Sequence, residues 1–244
     1  MKNSITIEYV KKDSLKLLGA TLSDDILAAS IPQLIEKDDT YAQYLKNMDE
    51  SINRALQRIV TEGKLPNRTF VLSFADSYPN GVIETAKNVI VSLETCVSEF
   101  RELVKVDFVR DGGLILQDVD YGTLGDEIIL PRLHEGEKYA FTYKYAPPTV
   151  SPFMKLSAEA LNWRDAELAA GATGEGAYNK NVLDIPNELA SIVPKFVFGE
   201  LYMHDEPNVA MYQGINQFEA YLSQYNVPTN KKLNKIKNIL EGFN

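Results

Sequence analysis

One cysteine, Cys96, two histidines and one tryptophan are all that this chain of 244 residues holds of three residue types on which many sites are built. A lone cysteine makes no intrachain disulfide, which suits a reducing compartment. His134 and His204 stand far apart in sequence, and neither an HxxxH nor an HExxH spacing occurs. There is no GxSxG elbow either, so nucleophilic hydrolysis of that type has no footing. No apolar run approaches the roughly 20 residues of a membrane span, and no membrane partner is expected. The opening MKNSITIEYVKKDSLKLLGA alternates polar and apolar residues and lacks a signal-peptide core, so export by that route is not expected. The Asn67-Arg68-Thr69 sequon is then an incidental match. Positive charge is the minority sign: 25 Lys and Arg against 34 Asp and Glu give a formal net charge of −9. A uniformly acidic surface repels nucleic acid and argues against a DNA-gripping domain.

What is present is enough for a packed core. Hydrophobic residues make up 45%, and the length suits one large domain or two small ones. Residues 1–20 read as extended at first, without a clear pattern afterwards. Ser23-Asp24-Asp25 has the look of a helix start, and Pro32 ends or restarts that helix. Thr40 is a candidate cap for the next one. Tyr41, Tyr44, Leu45, Met48, Ile52, Ala55, Leu56 and Ile59 recur at helical spacing on one face, Gly63 suits a left-handed cap, and Pro66 follows. From Arg68 to Thr149 the texture changes to short β-branched and aromatic runs: TFVLSF, NVIVSL, LVKVDFV, LILQDV, EIILP and YAFTYKY. Tyr78-Pro79-Asn80-Gly81, Asp111-Gly112-Gly113, Tyr121-Gly122 and Glu135-Gly136 punctuate them as turns. These features predict a compact antiparallel β domain, a small sandwich or barrel. In its last strand Tyr139, Phe141, Tyr143 and Tyr145 face one way.

Beyond Pro147-Pro148, Leu156–Ala170 has a short helical pattern, and Gly171–Lys180 reads as a mobile loop. Asp184–Tyr225 reads as two amphipathic helices joined by a tight turn. Asp184 and Pro186 start the first, Pro194 predicts a kink near Ala190–Ser191, and Pro207 starts the second. Met211, Ile215, Phe218 and Leu222 are the second helix's apolar face. The tail after Pro228 combines Lys231, Lys232 and Lys235 with Leu233, Ile236, Ile239 and Leu240. It is a solvated or frayed end, or a docking peptide that orders against an acidic neighbour.

Catalytic candidates are each outweighed by a plainer reading. His204-Asp205-Glu206 fits a polar turn better than a metal seed, and His134-Glu135 is likewise a turn. Gly171–Gly176 has the glycines of a phosphate loop but lacks the Lys-Ser/Thr pair, and Glu175 would repel phosphate. Asp118 and Asp120 would share one face of a strand, a weak divalent-ion match and more simply a solvated face. Cys96 has no basic neighbour closer than Arg101 and reads as a non-catalytic thiol. The Tyr139–Tyr145 aromatics could stack bases, but only Lys138 and Lys144 interleave, and sheet packing is the stronger reading. No catalytic, cofactor-binding or metal residue is therefore assigned.

The order of parts carries a resemblance. YAQYLKNMDESINRALQRI ended by GKLP precedes the β runs, with SEFRELVKVDFV, EIILP and YAFTYKYAPPTVS in turn, and IPNELASIVPKFVFGELYMHDEPNVAMYQGINQFEAYL follows. Over about Leu22–Tyr225 this resembles the head–tail adaptor (connector ring) proteins of tailed bacteriophages, especially short-tailed and crAss-like phages. The resemblance implies an α+β fold, in which a helical body from N- and C-terminal segments carries an inserted antiparallel β domain. It divides the chain into an N-terminal arm and body helices (1–66), the β domain (67–150), a short helix with a Gly-rich loop (151–183), a helical pair completing the body (184–225) and a docking tail (226–244). It further implies a structural virion protein, sited in the neck between capsid and tail and made in the host cytoplasm. About twelve copies would form a ring under the portal protein, contact adjacent neck or tail proteins, and pass DNA without sequence-specific contact. The tail residues Lys231, Lys232, Leu233, Lys235, Ile236, Ile239 and Leu240 become the expected subunit or portal interface. No catalytic residue or cofactor comes with the resemblance. A tail-completion or tube-nozzle component is the neighbouring alternative. A metal-dependent enzyme using Asp118, Asp120 or His204 is the third reading, and a single-strand nucleic-acid binder is the fourth.

Overall fold

A computed structural model describes residues 5–18, 30–37, 39–111, 114–203 and 205–227. The chain divides into two compact units. One joins the N-terminal segment as far as Gly63 to Ala146–Tyr225; the other is built on Lys64–Tyr145. The fold is α+β, with the β unit inserted into the sequence of the helical one.

Seven α-helices of the helical unit are described. They are α1 (Ile7–Leu17), α2 (Ile31–Lys37), α3 (Asp39–Thr61), α5 (Ala158–Ala169), α6 (Asn187–Ala190), α7 (Val193–Tyr202) and α9 (Asn216–Gln224), with a single turn, α8 (Pro207–Ala210), leading into α9. The first occupies the stretch that showed no clear pattern in sequence; just before it Thr6 is extended and bridges to Val182. Thr6 caps α1, its side chain accepting a hydrogen bond from the Tyr9 amide. Ile7, Glu8, Val10, Lys11, Ser14 and Leu15 are its buried residues. Three of those six are polar, which breaks the apolar helical rhythm in the sequence. Ser23-Asp24-Asp25 lies outside the described residues. Helix α3 follows its sequence pattern: Leu45, Met48, Ile52, Ala55, Leu56 and Ile59 are buried. Thr40 falls inside the helix, and is not its cap. Gly63 takes the left-handed conformation (φ 63°) at its end.

Helix α7 is the axis of this unit. Val193, Pro194, Phe196, Val197, Phe198 and Gly199 are all buried, and it packs against α1, α3 and the segment after α8. The expected kinked helix is two helices, α6 and α7, with Pro194 in the first turn of the second. Proline has no amide to bond back to the preceding turn, so it opens α7 where it would break a continuous helix. The second expected helix is also interrupted. Met211–Ile215 is a π turn between α8 and α9. It sets Gly214 against Gly199, so close that a Cβ on Gly214 would lie 2.6 Å from the Gly199 Cα and 2.7 Å from the Lys195 carbonyl oxygen. Met211, expected on the buried face, is exposed, because the wide turn rotates it outward. Phe218 and Leu222 are buried as expected, and Phe218 packs against Phe196 with ring centroids 4.9 Å apart and the planes tilted by 60°.

The inserted unit is a sandwich of two antiparallel four-stranded sheets, not a closed barrel. Its strands are β1 (Arg68–Ser73), β2 (Val82–Glu84), β3 (Asn88–Ser92), β4 (Phe100–Arg110), β5 (Leu114–Leu116), β6 (Gly122–Leu124), β7 (Glu127–Pro131) and β8 (Glu137–Tyr145), with a one-turn helix α4 (Leu93–Cys96). One sheet runs β1-β8-β4-β5, the other β2-β3-β7-β6. Leu72, Val106 and Phe141 of the first meet Val89, Val91, Ile128 and Leu130 of the second in one core. Strand β8 pairs on both sides, with Phe141 opposite Phe70 on β1 and Val106 on β4. The two short strands β2 and β6 carry no run long enough to register in sequence, and Gly122, read as part of a turn, opens β6.

The Gly199–Gly214 crossing has no room for a methyl group on either side. Gly214→Ala is expected to cost about 1–3 kcal/mol through backbone displacement, whereas Gly122→Ala, whose added Cβ meets nothing nearer than 3.6 Å, should cost far less. Urea unfolding of both variants checks this, and a neutral Gly214→Ala would contradict the crossing.

Candidate functional site

A buried polar cluster lies inside the helical unit, where no sequence motif marks it. Lys11 on α1 is 1% exposed, and its ammonium lies 2.7 Å from Asp49 Oδ1 on α3. The two form a buried ion pair. The Lys11 ammonium also donates to the Tyr178 hydroxyl (3.1 Å), which in turn donates to Asp49 Oδ2 (2.7 Å). The three groups close a triangle. Burial draws the Lys11 ammonium below its ordinary pKa, opposed by Asp49 and then Glu8. Burial, then Asp49, drives the Tyr178 phenol well above its own. One turn before Lys11, Glu8 takes an ion pair from Lys12 (2.8 Å) and another from Lys180, whose ammonium also lies over the Trp163 ring. The arrangement holds a charge that would otherwise be too costly to bury.

Tyr178 and Lys180 belong to the stretch expected as a mobile loop. Instead, Ala177–Lys180 is a 3₁₀ turn with Ala177 and Asn179 buried. Gly176 enters it at φ 80°, its Cα so close to the Pro32 ring that a Cβ would lie 2.6 Å from Cγ. Residues beyond it pair with the start of the chain: the Ile7 amide donates to the Asn181 carbonyl and the Leu183 amide to Ile5, both at 3.0 Å. The glycines therefore serve a sharp, packed turn, and the phosphate-loop reading falls with the loop.

A polar groove of about 620 Å³ runs between α3 and α7, lined by Tyr44, Glu50, Ser51, Arg54, Glu200 and Asp205. Arg54 bridges Glu200 (2.9 Å) and Glu50 (2.8 Å), and the Tyr44 hydroxyl donates to Asp205 (3.1 Å). Acids outnumber bases there, and exposed pairs of this kind contribute little stability. His204, the expected neighbour of Asp205, lies outside the described residues.

In the sandwich, the candidate chemistry is used up by packing. Tyr139, Phe141, Tyr143 and Tyr145 are buried, so no base can stack on them. Tyr139 donates to the Pro131 carbonyl (3.1 Å), and burial, then Glu137, pushes its phenol up to about 12. Asp118 and Asp120 do not share a strand face as expected. Asp118 sits in the left-handed region (φ 53°) in an irregular connection, its amide donating to Asp107 Oδ1 (2.9 Å), and the next amide, Val119, donates to Val106. Among the described residues no group of three His, Cys, Asp or Glu could hold a metal ion. Burial raises the Cys96 thiol above its ordinary pKa, the reverse of an activated nucleophile. His134 is a turn residue whose amide caps Glu137 (2.9 Å).

Two aromatic side chains of the helical unit face outward: Phe153 is 96% exposed and Tyr212 75% exposed. The expected interface residues Lys231, Lys232, Leu233, Lys235, Ile236, Ile239 and Leu240 lie outside the described residues. Among the described residues no helix is long and apolar enough to cross a membrane. No family model matches the chain, and no curated protein matches it in sequence.

Removing one partner of the buried pair should be severe. Asp49→Ala is expected to cost about 3–5 kcal/mol by leaving Lys11 buried and uncompensated, with Lys11→Met in the same background restoring much of the loss; chemical denaturation of the single and double variants checks both. The acid limb of stability should report Glu8. Burial raises this carboxyl, but the bonds from Lys12 and Lys180 outweigh burial and hold it below its ordinary value of 4.5. A depressed folded pKa stabilises in full above the ordinary value and fades as pH falls through the folded one. Glu8→Gln should therefore flatten the fall in stability below about pH 4.5, measured as unfolding free energy against pH.

Proposed function

We propose that this chain is a structural ring subunit of a bacteriophage neck, a head–tail adaptor that docks under the portal and extends the DNA exit channel. The observation that carries the reading is the discontinuous helical unit: both flanks of the chain build it, and an antiparallel sandwich is inserted between Gly63 and Ala146. The resemblance in the order of sequence blocks implies that same layout. Exposed aromatics on the helical unit, Phe153 and Tyr212, suit a protein that works by contact with neighbours.

In this reading the chain is not an enzyme. Lys11 is sealed in an ion pair, Asp118 and Asp120 lie in an irregular connection and not on one strand face, and burial raises the Cys96 thiol above its ordinary pKa. Its partners are further copies of itself, about twelve in a ring, the portal, and the next neck or tail protein. A net charge of −9 lets DNA slide past without phosphate clamping or base contact. The place of action is the virion neck, after synthesis in the host cytoplasm. The 231–240 segment, with its lysines and apolar residues, is the part that would dock on a neighbour.

Cryo-electron microscopy of the intact particle tests this. The expected result is a ring of this chain directly beneath the portal with residues 228–244 ordered against a neighbour. Density for this chain elsewhere in the tail would favour a tail-completion or nozzle role, and its absence from the particle would overturn the reading.

A further inference from the structure

Phe153 is the most exposed large apolar side chain among the described residues, and it is not on a loose strand of chain. Val150, three residues earlier, is buried, and both its amide and its carbonyl are clamped by the Asn53 side chain, at 2.8 and 2.9 Å. Ser151-Pro152-Phe153-Met154 is a turn closed by the Met154 amide on the Ser151 carbonyl (3.1 Å), with proline fixing its first corner. On the far side the Asn181 side chain donates to the Lys155 carbonyl (3.0 Å) and accepts from the Ser157 amide (2.9 Å). The ring is thus presented on a turn pinned at both ends. An aromatic group ordered in advance loses little freedom on binding, which is the property of an interface anchor.

The sandwich offers a socket of matching chemistry. A pocket of about 350 Å³ opens between its sheets, with Phe108, Leu116, Val119, Leu130 and Tyr139 as its apolar lining; of the charged residues beside them, Arg132 is paired with Glu84 and Glu137 with Arg110. An engineered apolar cavity of about 150 Å³ holds a benzene molecule, so the pocket has room for a phenyl ring with its flanking turn. Leu116 is half exposed at its edge, and Asp120 lines it with an exposed carboxylate. Lys155, exposed two residues after Phe153, supplies the opposite charge for that carboxylate.

We propose that Phe153 of one copy inserts into the sandwich pocket of the next, with Lys155 facing Asp120. A knob on one unit and a socket on the other make a head-to-tail contact, which closes into a ring or runs on as a chain. This inference rests on the self-association in the ring reading and gives it an interface.

Sedimentation velocity of the full chain over a concentration series tests it, with Phe153→Ala removing the knob and Leu116→Trp filling the socket. Both positions are exposed enough that folding is retained, which circular dichroism checks. Each variant alone should associate at least about thirty-fold more weakly than the parent chain. Mixed in equal amounts they retain one intact knob and one intact socket, and should form a 1:1 dimer and nothing larger. Phe153→Ala that assembles as the parent does would overturn this interface and leave the ring reading intact. A mixture that stays monomeric would also overturn it. A parent chain that stays monomeric at every concentration would overturn the proposal, while the ring reading would still be decided by the particle itself.

Discussion

A lysine that cannot reach water governs the helical unit. With Lys11 enclosed by Asp49 and Tyr178, three segments far apart in sequence are fixed to one another: α1, the middle of α3, and the 3₁₀ turn at Ala177–Lys180. Hydrophobic burial along α3 and α7 supplies most of the driving force, but it is non-directional. The ion pair and its hydroxyl are directional, and an unpaired ammonium at this depth is costly. They therefore select one register of α1 on α3 among several that would bury similar apolar area. The backbone pairing of Ile5 and Ile7 with Asn181 and Leu183 extends the same seam.

That seam has a consequence for the whole chain. A helical unit closed by its own two flanks leaves the middle of the sequence to leave and return, and the sandwich occupies that excursion between Gly63 and Ala146. The exit is a left-handed glycine at the end of α3; the return is Pro147-Pro148 and Val150 laid along the same helix and clamped by Asn53. Each unit has its own core. The sandwich closes over the aromatic face of β8, while the helical unit closes over α7. One unit carries an anchored, exposed aromatic, and the other an open pocket with an apolar floor.

How much of this was legible in the residues depended on whether burial followed apolar periodicity. It did in α3, where every third or fourth residue is apolar, and in β8, where Tyr139 to Tyr145 alternate with polar neighbours. It failed in α1, because Lys11 takes a core position that a distant acid makes tolerable, and Ser14 another, its hydroxyl donating to the Val10 carbonyl one turn back (2.8 Å). It failed again at Gly171–Lys180, where glycine content suggested mobility and long-range bonds from Tyr178 and Asn181 impose order. The π turn at Met211–Ile215 has no local signature; it follows from the need to bring Gly214 onto Gly199. Among candidate sites, the interface residues of the tail fall outside the described residues. Phe153 and the Lys11 triangle carried no motif at all, though an apolar residue beside Pro152 in an otherwise connecting stretch was a signal for the first.

The buried Lys11–Asp49–Tyr178 triangle makes the helical unit one cooperative body, distinct from the inserted sandwich. Native-state hydrogen exchange on the full chain, with Asp49→Asn as the perturbation, measures it most directly. Slow amides of α1, α3 and α7 should open together with one shared free energy, and Asp49→Asn should lower them all while β4 and β8 amides keep their protection. Loss of protection confined to α1, or spread equally over β4 and β8, would contradict it.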